Sequence, residues 1–264
     1  MTAEELLVRY GPRLVLDGLS FTASPGEVLA VLGANGSGKS TLLRTLAGLL
    51  PHGGRIARPP GAPGYMPQDN AAQARLTAFE LVLLGRLRHL GLRVATADLA
   101  AAEAAMAEIG IAHLAGQRIA TLSGGQRQMV FLAQVLAAGP AMLLLDEPTS
   151  ALDIAHQLHV LGLIRAATRR RGLVTIAVLH DLNAAARFAD RLMLLHQGRL
   201  LGIGTPAEIL TPALLRQVFG VEAAVLTGPD GAPVVIPLRA AGSEQHVGCT
   251  DEVRVGVAAY GLDA

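Results

Sequence analysis

One run, Gly33-Ala34-Asn35-Gly36-Ser37-Gly38-Lys39-Ser40, constrains this chain more than any other feature. It fits G-x-x-x-x-G-K-[ST], and so does its setting. The apolar stretch at 27–32 reads as a strand, and Leu42, Leu43, Leu46, Leu49 and Leu50 recur at helical spacing after the run. Strand, glycine-rich loop and helix in that order make a phosphate cradle. The glycines let backbone N–H groups turn inward on phosphate oxygens, and the helix presents its positive end to the same charge. Lys39 supplies a compact cation for the β and γ phosphates, and Ser40 supplies a hydroxyl for Mg²⁺. Lys39 is also the only lysine in a chain with 22 basic residues, and arginine does not replace so small a point charge.

The composition bounds the rest. With 264 residues, 51% hydrophobic and 16% charged, the chain buries a sizeable core. A net charge of +1 removes the electrostatic case for broad binding to nucleic acid or anionic membrane, and 3% aromatics without Trp leave few stacking platforms. Cys249 is alone, so neither a disulfide nor a cysteine metal pair forms within the chain. Every apolar stretch is broken well before the ~18 residues a spanning helix needs. Glu4 and Glu5 stand where a signal peptide carries positive charge, which predicts a cytoplasmic address.

Strands are predicted at 6–10, 14–22 and 27–32, weak ones within 55–67, and a mostly helical stretch over 76–138. The continuous apolar runs at 141–146 and 174–179 suit buried strands of a parallel sheet. Helices at 154–170 and 182–189, strands at 192–195 and 199–202, and a helical region ending near Phe219 continue an α/β alternation. Gly228-Pro229-Asp230-Gly231 predicts a hairpin joining 223–227 to 234–238. Beyond 240 the signal fades and partial disorder is expected.

Two further strings carry chemistry. In Met142-Leu143-Leu144-Leu145-Asp146-Glu147, Asp146 is suited to the Mg²⁺ side of a phosphate site, and Glu147 to orienting or deprotonating water. Thr121-Leu122-Ser123-Gly124-Gly125-Gln126 starts a helix with Ser123 as N-cap. In this order and spacing the three strings resemble the ATP-binding cassette (ABC) ATPases over about residues 5–238. The resemblance implies an α/β fold: a P-loop NTPase (RecA-like) core, an antiparallel β subdomain and an α-helical subdomain inserted at about 75–140. The ATPase domain then spans 1–238, and 239–264 form a poorly ordered tail.

The resemblance also assigns roles. Tyr10 stacks on adenine. Gly33, Asn35, Gly36, Ser37, Gly38, Lys39, Ser40 and Thr41 hold the phosphates of ATP. Ser40, Gln68 and Asp146 serve Mg²⁺, while Glu147, Gln68 and His180 serve hydrolysis. Ser123, Gly124, Gly125 and Gln126 form the signature motif, which reaches the ATP of a partner chain in a head-to-tail homodimer, and Asp153 lies at the dimer seam. Membrane permease subunits are implied as partners, touching the helical stretch, with a periplasmic-type binding protein acting indirectly. Leu81-Val82-Leu83-Leu84-Gly85-Arg86, His180-Asp181-Leu182-Asn183-Ala184-Ala185, and Leu210-Thr211-Pro212 through Phe219-Gly220-Val221 resemble the branch importing iron-siderophore, haem or cobalamin complexes.

A cassette serving a zinc or manganese importer, or an exporter, keeps every nucleotide residue and differs only in partner. A GTPase is excluded, because its guanine-reading Asn-Lys-x-Asp needs a second lysine. A soluble cassette ATPase of translation or DNA repair brings a second cassette or a long coiled coil, and neither is in this sequence. His156 and His159 sit one helical turn apart without a third ligand at metal spacing, which predicts a solvated helix face.

Overall fold

The computed structural model describes residues 1–68, 75–86, 94–150 and 152–241. The first half runs β1 (Thr2–Tyr10), β2 (Arg13–Thr22), β3 (Val28–Leu32), α1 (Lys39–Leu46), β4 (Gly53–Ala57), β5 (Gly64–Met66), α2 (Ala78–Leu84), α3 (Thr96–Glu108) and α4 (Gly124–Ala137). The second half runs β6 (Met142–Asp146), α5 (Ile154–Arg171), β7 (Val174–Val178), α6 (Leu182–Phe188), β8 (Arg191–His196), β9 (Arg199–Gly204), α7 (Pro206–Ile209), α8 (Pro212–Phe219), β10 (Val221–Thr227) and β11 (Pro233–Ala240).

Strands β3, β6 and β7 are buried at all five positions, which is why their sequences are unbroken apolar runs. They lie inside a six-stranded sheet of order β5-β6-β7-β3-β8-β9, parallel except for the edge strand β9. Successive side chains alternate between its two faces. Ala30, Leu143, Leu145 and Ala177 face a core shared with α4, α5 and α6, whereas Leu29, Val31, Leu144 and Ile176 face one shared with α1, β1 and β2. On α1, Leu42, Leu43 and Leu46 are fully buried, and each contributes about 1.5–3 kcal/mol. That anchorage fixes where the helix N-terminus points. Strands β2-β1-β4 form a separate antiparallel sheet, and β10 and β11 form the predicted hairpin.

Among the described residues of the predicted 76–138 stretch there are three helices, with short 3₁₀ turns at Ala112–Leu114 and Ile119–Thr121 leading from α3 to α4, and 87–93 lie outside the described residues. Reciprocal capping boxes start α2 (Thr77 with Glu80) and α4 (Ser123 with Gln126). Arg86 ties the three together, donating from Nε to the buried Asp98 of α3 at 3.0 Å and from a guanidinium nitrogen to the Ala137 carbonyl at 3.3 Å. The Glu108 carboxylate, held below its ordinary pKa by Arg171 and Arg170 against the opposing effect of burial, joins α3 to the end of α5. Helix α1 stops at Leu46, short of the predicted residue 50, because Gly48 takes a left-handed φ of 77°. Strand β11 runs to Ala240, two residues into the predicted tail. From residue 242 on the tail, with Cys249, lies outside the described residues.

Candidate nucleotide and hydrolysis site

The glycine loop fills the space between β3 and α1, and two of its glycines have no room for a side chain. A Cβ on Gly33, at φ 154°, would lie 2.1 Å from the Leu195 carbonyl oxygen, and one on Gly38, at φ 104°, would lie 2.7 Å from Leu16 Cδ2. Lys39 curls back over the loop, its Nζ donating to the Gly33 carbonyl at 2.8 Å and the Ala34 carbonyl at 3.0 Å. Burial holds its pKa below the ordinary amine value, with Glu147 and Asp146 pulling the other way. The Ser37 hydroxyl is buried without a hydrogen-bond partner.

Ser40 and Asp146 meet where α1 begins and β6 ends, the hydroxyl donating to Asp146 Oδ1 at 3.0 Å. Asp146 is 1% exposed; burial raises its pKa, and the Ser40 hydrogen bond opposes that shift. The next residue, Glu147, has φ 53°, a left-handed backbone rare outside glycine, and its N–H extends the ladder to the Val178 carbonyl at 3.2 Å. Its carboxylate accepts from Gln68 Nε2 at 2.7 Å, and its other oxygen lies within hydrogen-bond distance of His180 Nε2. The sheet explains the meeting. Gln68 follows β5, Glu147 follows β6 and His180 follows β7, and these three neighbouring parallel strands end together beside the glycine loop after β3.

A cleft of about 740 Å³ opens over this edge, within the range of small-molecule sites. Of the predicted residues, Tyr10, Asn35, Gly36, Gly38, Lys39, Ser40, Thr41, Gln68, Glu147 and His180 line it. Gly33, Ser37 and Asp146 do not reach its wall. Arg13 and Val15 do, and sequence reasoning missed them. The signal was present: the Gly11-Pro12 turn pairs Arg13 with Tyr10 across β1 and β2. The residues Ser123, Gly124, Gly125 and Gln126 are not part of the wall, and neither is Asp153, which caps α5. Among the described residues no cluster of three His, Cys, Asp or Glu could hold a metal. His156 and His159 are both exposed on α5, as the sequence predicts, and the His156 ring in addition pairs with Asp153 and lies over Gly125.

The ABC transporter family profile matches residues 16–150. The hemin import ATP-binding protein HmuV of Gloeobacter violaceus is 42% identical, across 89% of this chain and 92% of that protein. The ferric enterobactin transport ATP-binding protein FepC of Escherichia coli is 39% identical, across 90% and 94%. The iron(3+)-hydroxamate import ATP-binding protein FhuC of Bacillus subtilis is 37% identical, across 87% and 91%. Among solved structures, a metal-chelate type ABC transporter in an inward-facing conformation superposes with a TM-score of 0.82 at 30% identity, across 90% of this chain and 96% of that one. Among the described residues no helix is long and apolar enough to cross a membrane.

Proposed function

Because the chain belongs to the ABC transporter ATPases, we propose that it is the nucleotide-binding subunit of an importer for an iron-siderophore, haem or cobalamin complex. In this role it works against separate permease subunits on the cytoplasmic side of the membrane. Relatives named for hemin, enterobactin and hydroxamate import, 37–42% identical over nearly the whole chain, carry the choice of cargo class.

The geometry supports a division of labour. Tyr10, 47% exposed at the rim, offers its ring to the adenine. The glycine loop takes the phosphates, and Lys39 exchanges the Gly33 and Ala34 carbonyls for the β and γ phosphates. Ser40 and Asp146 already converge as hard oxygen donors of the kind Mg²⁺ takes, and Gln68 completes the set from the strand beside them. Mg²⁺ held there supplies charge neutralisation on the phosphate oxygens. Glu147 takes the proton of the attacking water, and His180 fixes the carboxylate's orientation and faces the γ-phosphate.

One observation carries the dimer. The cleft holds the glycine loop, Glu147 and His180 of one chain and none of that chain's signature residues. The Ser123 cap leaves the N–H groups of Gly124 and Gly125 free of intrahelical partners, as at any helix start, so a second chain's helix α4 supplies the missing donors to the γ-phosphate. Purification from detergent extract through a tag on this chain tests the assignment. Permease subunits of an iron-complex or cobalamin importer are the expected companions, and subunits of a zinc, manganese or export system would overturn the cargo class.

A further inference from the structure

The nucleotide site leaves one side chain unexplained. Asp153 caps α5, and its carboxylate accepts the backbone N–H of His156 at 2.8 Å while its two oxygens lie 2.9 and 2.8 Å from the ring Nδ1. The His156 backbone N–H, followed by its ring, holds Asp153 below the ordinary carboxylate pKa. An ionised carboxylate only accepts, so Nδ1 carries the proton and the ring orientation is set. The other edge of the ring covers Gly125, the second residue of α4. A Cβ there would lie 2.8 Å from His156 Cδ2, and Gly125 is buried between exposed Gly124 and half-buried Gln126. Further along α4, Gln128 donates from Nε2 to the Pro148 carbonyl. Helix α4 is thus tied at two points, to Pro148 just past Glu147 and to His156 in the first turn of α5.

We propose that His156 is a positioning residue that locks the loop around Asp153 to the first turn of helix α4, so that the two elements each chain presents to its partner move as one rigid unit. The inference rests on the head-to-tail reading above and adds the contact that sets the spacing between its two parts. That spacing matters because misplacing reacting groups by about 1 Å costs on the order of a hundredfold in rate. His156 does not line the cleft. Its effect therefore falls on turnover and dimer closure, and the ATP affinity of the separated chain is spared.

The full chain, reconstituted with its permease, provides the test. His156→Ala is expected to lower kcat by about tenfold or more, to leave calorimetric ATP affinity of the separated chain unchanged, and to reduce the ATP-bound dimer in a Glu147→Gln background. His156→Asn places Nδ2 where Nδ1 stood and keeps a planar group over Gly125, and should recover most of the rate. His159→Ala, on the exposed face, should match wild type. Gly125→Ala, which displaces the ring from below, should lower kcat alone and add nothing to His156→Ala. A His156→Ala enzyme turning over at the wild-type rate, or additive losses in that pair, would overturn the inference. Lys39→Ala run alongside separates the two levels: if it too retained full turnover, the ATPase reading itself would fail.

Discussion

His180 Nε2 lies within hydrogen-bond distance of Glu147 Oε1, joining the residue just past β6 to a residue just past β7. Gln68 holds the opposite oxygen from the β5 side, so the carboxylate is oriented from both flanks and sits on a left-handed backbone. A group held this tightly at the edge of the cleft has its direction fixed in advance.

Glu147→Gln keeps the shape of the side chain and removes its basicity. ATP turnover should fall by about 10²–10⁴-fold, with ATP binding nearly intact and an ATP-bound dimer accumulating on sizing. Hydrolysis at the wild-type rate would take Glu147 out of the role.

Ionising Asp146 carries a cost. Burial raises its folded pKa above the unfolded value, so the charge opposes folding above that raised pKa, and the penalty vanishes as pH falls below the unfolded value. Asp146→Asn should raise the melting temperature of nucleotide-free protein at neutral pH, by an amount that shrinks toward acid. The variant should also lose the Mg²⁺-dependent part of stabilisation by ATP. A variant melting below wild type at neutral pH would contradict this account.

Apart from the chain's α-amino group, Lys39 is the only primary amine. An amine-selective reagent should abolish nucleotide binding by reacting at Lys39, and ATP should protect it, with peptide mass mapping as the readout. Complete modification of Lys39 with unchanged ATP affinity would rule out the phosphate-cradle assignment.

Gly85 ends α2 against α4, where an added Cβ would lie 2.0 Å from the Gln134 carbonyl oxygen. Gly85→Ala should cost about 1–3 kcal/mol in denaturant unfolding. An unchanged midpoint would show that α2 and α4 are not packed as described.

What was legible in the sequence was what is local. The glycine loop, the apolar runs of β3, β6 and β7, and the Ser123 cap all carry their chemistry within a few residues, and each stands where expected. The approach of Gln68, Glu147 and His180 depends on strand order, which no window of sequence contains; only the family resemblance supplied it. Arg13 was missed because its place in the cleft comes from hairpin register opposite Tyr10. The contact of His156 with Gly125 was not legible, because the two are 31 residues apart and Gly125 has no side chain to give a pattern.

Reconstitution in vesicles with the permease subunits and the cognate binding protein tests the central claim most directly. The account predicts ATP-dependent inward movement of a haem, ferric-siderophore or cobalamin complex, with ATP hydrolysis stimulated by the loaded binding protein and both lost in Glu147→Gln. Uptake of free Zn²⁺ or Mn²⁺ in place of the complex, or outward movement of a lipid or drug, would contradict it.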